Sequence, residues 1–232
     1  MTLARIAPLS GGTARAIEHD GRMHSVPTRA QSRALSFNIP LAMTTPVVVR
    51  NGTGARIAVD SLSHYRSTKK YSDGIAKHNK TLSVGSALLA PTGPASPQLI
   101  LRSIKRDPER RADFHGLVGI FEILCEFQRV LQEDYSLNLK ADEEVSYDSI
   151  LMKLLIAAPG GTFGVYPSRS VHEYKRSYAF GSGADLTMDA MHASYERCDA
   201  VEDIARAGVE ASACFDASTS FPMSIHSLDL KS

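Results

Sequence analysis

Met43-Thr44-Thr45, then Pro46-Val47-Val48-Val49-Arg50, a turn at Asn51-Gly52-Thr53-Gly54, and a return through Arg56 to Ala58-Val59-Asp60 form the stretch that decides the fold. Two β-rich runs around Asn-Gly chemistry read as a hairpin. The threonine pair sits where the first strand begins. A chain starting at Thr44 would carry a hydroxyl and a free α-amine on one residue. That amine can serve as base for its own hydroxyl, a form of nucleophilic catalysis that needs no histidine.

Outward from the hairpin the pattern alternates between strands and helices. Residues 61–80 are polar and read as a loop ending in Lys77-His78-Asn79-Lys80. Strands are predicted at 81–84 and 87–90, with a loop at Pro91-Thr92-Gly93-Pro94 and a helix from about residue 95 through Ile104. Leu117, Ile120, Phe121, Leu124, Phe127, Val130 and Leu131 recur at helical spacing and predict a helix from about 114 to 133. Residues 134–149 read as an acidic and polar loop. Strands are then predicted at 149–157, 162–166 and 171–180, the last ending in Gly181-Ser182-Gly183. Helices at 184–198 and 200–213 and a strand at 221–228 complete the chain. The order is strands, two helices, strands, two helices, strand. It implies an α+β fold with two stacked, mostly antiparallel sheets and a helix pair outside each, a four-layer αββα sandwich.

Composition excludes several classes. The 232 residues are 43% apolar and 22% charged, with a net charge of +1, which is ordinary for a globular domain. Residues 1–43 hold five Arg and no Lys against Glu18 and Asp20, so the remainder is slightly acidic. Such a balance argues against nucleic acid or an anionic membrane surface as partner. Cys125, Cys198 and Cys214 are scattered, show no zinc spacing, and fit reduced thiols in a cytoplasmic setting. No apolar run is long enough to span a bilayer. Residues 1–43, with Gly11-Gly12, three prolines and no sustained periodicity, are expected to be a disordered propeptide or an upstream extension, with Met43 as the working start. An Arg-rich, acid-poor organelle presequence is the third reading.

Thr44, Asp60, Lys80, Gly93 and Ser182 all fall at strand ends or loops, where side chains from different strands can converge. In this order they resemble the proteasome β-subunit family, and most of all its bacterial branch, the HslV-like peptidases and bacterial proteasome homologues. The shared features are Thr-Thr after Met, the aspartate at the same ungapped distance, a lysine, a small-Gly loop like Thr92-Gly93, and Gly-Ser-Gly before the third helix. The resemblance covers about residues 43–230. It implies the N-terminal nucleophile hydrolase fold and a peptidase domain at 44–232.

The resemblance also implies roles. Thr44 would be the nucleophile. Lys80 would place a cation beside it, and Asp60 would pair with that lysine. The Gly93 N–H would donate to the oxyanion, and Ser182 would bond near the Thr44 amine. Cys214 falls where the family has a small polar residue that completes this network. Three residues before it the family's proteasome members have an aspartate, and here stands Ala211, next to Glu210. The bacterial branch lacks that aspartate too, and its carbonyls near this loop bind a monovalent cation. The matching positions are Ala211, Cys214 and Ala217. No other cofactor is required.

Each residue has a simpler reading. Thr44 is a good β former, Asp60 suits a turn, Lys77 competes with Lys80, Gly93 serves a tight loop, and Ser182 can cap a helix. Cys214 reads equally as an inert thiol. The partners implied by the resemblance are further copies of the chain in stacked rings, a separate AAA+ ATPase unfoldase, and unfolded polypeptides. The chain itself has no GxxxxGK[ST] phosphate loop. A catalytically silent ring subunit and a small-molecule amidase of the same fold are the competing functions. A propeptide in this family ordinarily ends in glycine, whereas Met43 stands here.

Overall fold

Strands that are apolar at every position must be buried on both faces, and the hairpin shows this residue by residue. β1 (Pro46–Arg50) pairs antiparallel with β2 (Gly54–Asp60), Val48 opposite Ile57. Val47, Val49 and Ala58 point one way and pack against helices. Val48, Ala55, Ile57 and Val59 point the other way and pack against a second sheet. The period of two in a strand makes this division unavoidable.

The computed structural model describes residues 44–52, 54–65, 68–75, 79–93, 95–104, 114, 116–135 and 152–231. The chain divides into two units, Met1–Asn38 and Ile39–Ser232, and every element named here belongs to the second. After the hairpin come a short β3 (Ser63–Tyr65) and β4 (Thr68–Lys70), then β5 (Leu82–Val84) and β6 (Ala87–Thr92). α1 (Ala95–Ile104) and α2 (Gly116–Glu133) follow. Next are β7 (Lys153–Ala158), β8 (Gly161–Val165), β9 (Val171–Tyr174) and β10 (Ser177–Ala179). α3 (Ala184–Tyr195), α4 (Val201–Phe215) and β11 (Met223–Asp229) end the series.

One sheet has the order β10-β1-β2-β11 and the other β5-β6-β7-β8-β9, with antiparallel neighbours throughout. β7 repeats the logic of the hairpin. Its Leu154, Ile156 and Ala158 join the cluster under α1 and α2, whereas Leu155 and Ala157 meet Val48 and Ile57 between the sheets. α3 and α4 cover the outer face of the first sheet through Met191, Ile204, Ala205 and Val209. The layers are therefore helices, sheet, sheet, helices, the sandwich expected from the element order.

Two expectations need correction. The single strand predicted over 171–180 is two strands in different sheets. β9 pairs with β8, and after Lys175-Arg176 the chain crosses to pair β10 with β1. No glycine or proline interrupts Val171–Phe180, and both halves mix polar and apolar residues, so nothing local marks the change of partner. The stretch 61–80, predicted as loop, contains the β3–β4 hairpin and a 3-10 turn at Ser72–Gly74. These elements are too short for a periodic signal. Among the described residues no helix is long and apolar enough to cross a membrane.

Candidate active site

The register of three strands assembles the site around Thr44 and Thr45. β1 pairs with β2 so that Pro46 faces Val59, which brings Asp60 beside Thr45. On the other side β1 pairs with β10, Val47 facing Ala179, which brings Gly181 alongside. The approach there is extreme. A Cβ on Gly181 would lie 1.8 Å from the Thr44 carbonyl oxygen, and its φ of +103° is one that L side chains rarely adopt. Gly181 is glycine because the strand bearing Thr44 leaves no room.

Asp60 is 1% exposed, and all four acceptor positions of its carboxylate are used. Oδ1 accepts the Thr44 hydroxyl at 2.5 Å and the Thr45 N–H at 2.8 Å. Oδ2 accepts the Leu62 N–H at 2.9 Å and the Lys80 ammonium at 3.1 Å. Lys80 in turn directs its three N–H donors at Asp60, at Thr44 Oγ1 (2.7 Å) and at the Leu62 carbonyl (2.5 Å). An Asx turn sets its position, with the Asn79 side chain accepting the Thr81 N–H at 2.8 Å as the chain enters β5. Burial lowers the Lys80 pKa below its usual 10.5, and the Asp60 charge and hydrogen bond act against that. Lys77, the rival lysine, lies outside the described residues.

Ser182 belongs to a second group. Its hydroxyl donates to Asp216 Oδ2 at 2.6 Å, and Thr219 Oγ1 donates to the same oxygen at 2.7 Å. Thr219 lies 2.7 Å from Thr45 Oγ1, which joins this group to the first strand. The small polar residue expected at Cys214 is therefore Thr219, and the acidic residue missing at Ala211 is Asp216. Cys214 is exposed on the last turn of α4. Ala211/Cys214 and Asp216/Thr219 share the same three-residue spacing, so spacing alone does not distinguish the two pairs. An Asp-x-x-Thr run just past the last apolar helical residue was the available signal.

Gly93 directly follows β6, is buried and holds φ at +123°. Its carbonyl accepts Gln98 Nε2 at 3.2 Å. Ala211 lies inside α4, where its carbonyl serves the i+4 helical ladder. Of the three carbonyls expected at a cation, only those of Cys214 and Ala217 lie at or beyond the helix end. Among the described residues no group of His, Cys, Asp and Glu side chains could hold a metal ion.

The Thr44 hydroxyl is thus fixed between an ammonium and a carboxylate, with the Thr44 carbonyl backed by a tight glycine contact. Comparison with solved structures gives the family. The chain is 31% identical to Thiobacillus denitrificans BPH in complex with epoxomicin, with a TM-score of 0.75 over 81% of this chain and 100% of that one. The chain belongs to the proteasome β-subunit family.

A second Thiobacillus denitrificans BPH structure matches this subunit at 32% identity and TM-score 0.75, covering 81% of this chain and 98% of that one. Eukaryotic HslV from Trypanosoma brucei matches at 15% identity and TM-score 0.56, over 80% and 99% of the two chains, and shares the fold. No protein-family model and no curated protein matches the sequence. The two sheets and flanking helices of the subunit are those of the N-terminal nucleophile hydrolase fold.

Proposed function

We propose that this proteasome-family subunit is a threonine endopeptidase with Thr44 as its N-terminal nucleophile. The observation that carries the reading is the position of Thr44 Oγ1, 2.7 Å from the Lys80 ammonium and 2.5 Å from Asp60. Once Thr44 is the first residue, its α-amine, with an ordinary pKa of about 7.7–8.0, accepts the hydroxyl proton directly or through one water. The oxygen then attacks a peptide carbonyl. Lys80 stabilises the developing alkoxide, and the Gly93 N–H is the donor assigned to the oxyanion. The proton passes to the departing amine as the C–N bond breaks, leaving an acyl ester on Thr44. Water hydrolyses that ester and restores the hydroxyl. Asp60 holds Lys80 and Thr44 in place throughout.

The family resemblance supports stacked rings of identical subunits, a cytoplasmic setting, and unfolded polypeptide as substrate delivered by a separate ATPase. A monovalent cation held by backbone carbonyls near the end of α4 is part of the proposal as a structural ion, and no step passes through it. In the full chain the Thr44 nitrogen is an amide bonded to Met43. A structural subunit that is never processed is the competing reading.

The test uses the full chain purified from its native source or expressed whole. Intact mass shows whether assembled subunits begin at Thr44, and fluorogenic peptide hydrolysis is compared with Thr44→Ala. A chain starting at Thr44 whose activity disappears in the variant supports the peptidase. Equal rates reject Thr44 as nucleophile. Epoxomicin, present in the Thiobacillus denitrificans complex, supplies a second arm, retained by the processed subunit and not by Thr44→Ala.

A further inference from the structure

The Thr45 hydroxyl has no part in the chemistry above, yet it is wholly enclosed, with the residue 0% exposed. A valine would fill the same β-branched volume without burying an oxygen, so the hydroxyl must be compensated by hydrogen bonds. Its oxygen lies 2.7 Å from Thr219 Oγ1 and 3.3 Å from the Gly183 backbone nitrogen. The protons in this chain can run in only one direction. A carboxylate only accepts, so Thr219 sends its single proton to Asp216, as Ser182 does. Thr219 then offers Thr45 only a lone pair. Thr45 therefore donates to Thr219 and accepts from Gly183.

The Thr45 backbone N–H meanwhile donates to Asp60 Oδ1. One residue thus holds two carboxylates from distant parts of the fold, Asp60 at the end of β2 and, through Thr219, Asp216 after α4. The contact with Gly183 is close. A Cβ there would lie 3.0 Å from Thr45 Oγ1 and 2.6 Å from the Ser212 Cβ, so the Gly-Ser-Gly turn rests directly on this hydroxyl.

We infer that Thr45 is a positioning residue for the Thr44 site, its hydroxyl locking the Ser182–Asp216–Thr219 group to the strand that carries Thr44. This rests on the reading of Thr44 as nucleophile. Displacing a reacting group by about 1 Å costs about 100-fold in rate. The lock acts on the placement of the reacting group, so the loss is expected in kcat.

The test compares the full chain with Thr45→Val and Thr45→Ser, using intact mass to follow processing. Thr45→Val is expected to lower kcat about 10- to 100-fold with KM near the wild-type value. Thr45→Ser is expected to restore most of that loss. Amide exchange at Gly183 gives a readout independent of turnover, faster in Thr45→Val and wild-type in Thr45→Ser. Wild-type kcat in Thr45→Val overturns the inference, as does a serine variant as slow as the valine one, or unchanged Gly183 exchange in Thr45→Val. If wild type and Thr44→Ala hydrolyse peptide equally, the nucleophile reading fails instead. The exchange data then still decide whether Thr45 ties the two groups together.

Discussion

Removing the Lys80 ammonium tests the charge arrangement directly. In Lys80→Met the buried Asp60 loses its counter-ion but keeps the Thr44 hydroxyl and the N–H groups of Thr45 and Leu62. Breaking a buried ion pair by deleting one partner costs about 3–5 kcal/mol. The retained donors, and the 12% exposure of the Lys80 side chain against 0% for Asp60, place this case at the low end. A loss of about 3 kcal/mol corresponds to a fall of about 6–12 °C in Tm for a domain of this size. Asp60→Asn strands the lysine instead and is expected to cost a similar amount. The double variant Lys80→Met/Asp60→Asn has no buried charge left, so its loss is expected to fall short of the sum by at least ~1 kcal/mol. Urea unfolding of the four full-length chains measures the cycle. Additivity within about 0.5 kcal/mol refutes the claim that the two charges compensate one another inside the fold.

Other outcomes follow from the same geometry. Activity that needs the charged Lys80 falls as pH rises through its pKa, which burial has lowered. The alkaline limb of kcat/KM is therefore expected below pH 10.5, and Asp60→Asn, by removing the groups that raise this pKa, should move any residual limb lower still. Asp216→Asn is expected to lower kcat while Cys214→Ser leaves it unchanged, and the reverse pattern would restore Cys214 to the network. Gly181→Ala must place a methyl against the Thr44 carbonyl at a positive φ. Backbone strain alone should cost on the order of 1–3 kcal/mol, and an unaltered unfolding midpoint would contradict the close approach. Leu155→Ala empties the space between the sheets, where Leu155 is 0% exposed. It is expected to cost about 2–5 kcal/mol in urea unfolding.

Much of this was legible in the chain because its signals are local. Val47-Val48-Val49 around an Asn-Gly turn means a hairpin buried on both faces, and the stripe from Ile120 to Leu131 means a helix on a core. The fixed distance from Thr44 to Asp60 spans that one hairpin, so its register alone brings them together. Lys80 was harder, because the loop before it sets its reach and Lys77 offered the same chemistry. The Asn79 turn and the bond to Thr44 fix Lys80 at the site.

By itself the sequence determined the order of layers and the threonine and aspartate that can meet across one hairpin, and it left the lysine open between Lys77 and Lys80. Only the tertiary structure decided which polar residues stand behind them. Thr45 meets Thr219 across 174 positions and Gly183 across 138, and β9 gives way to β10 at a bend without a marker. Periodicity reports which face of an element is buried, because solvent acts on every residue locally. Hydrogen-bond partners so far apart are chosen by the packing of α3 and α4 on the sheet, and no pattern within either segment records that choice.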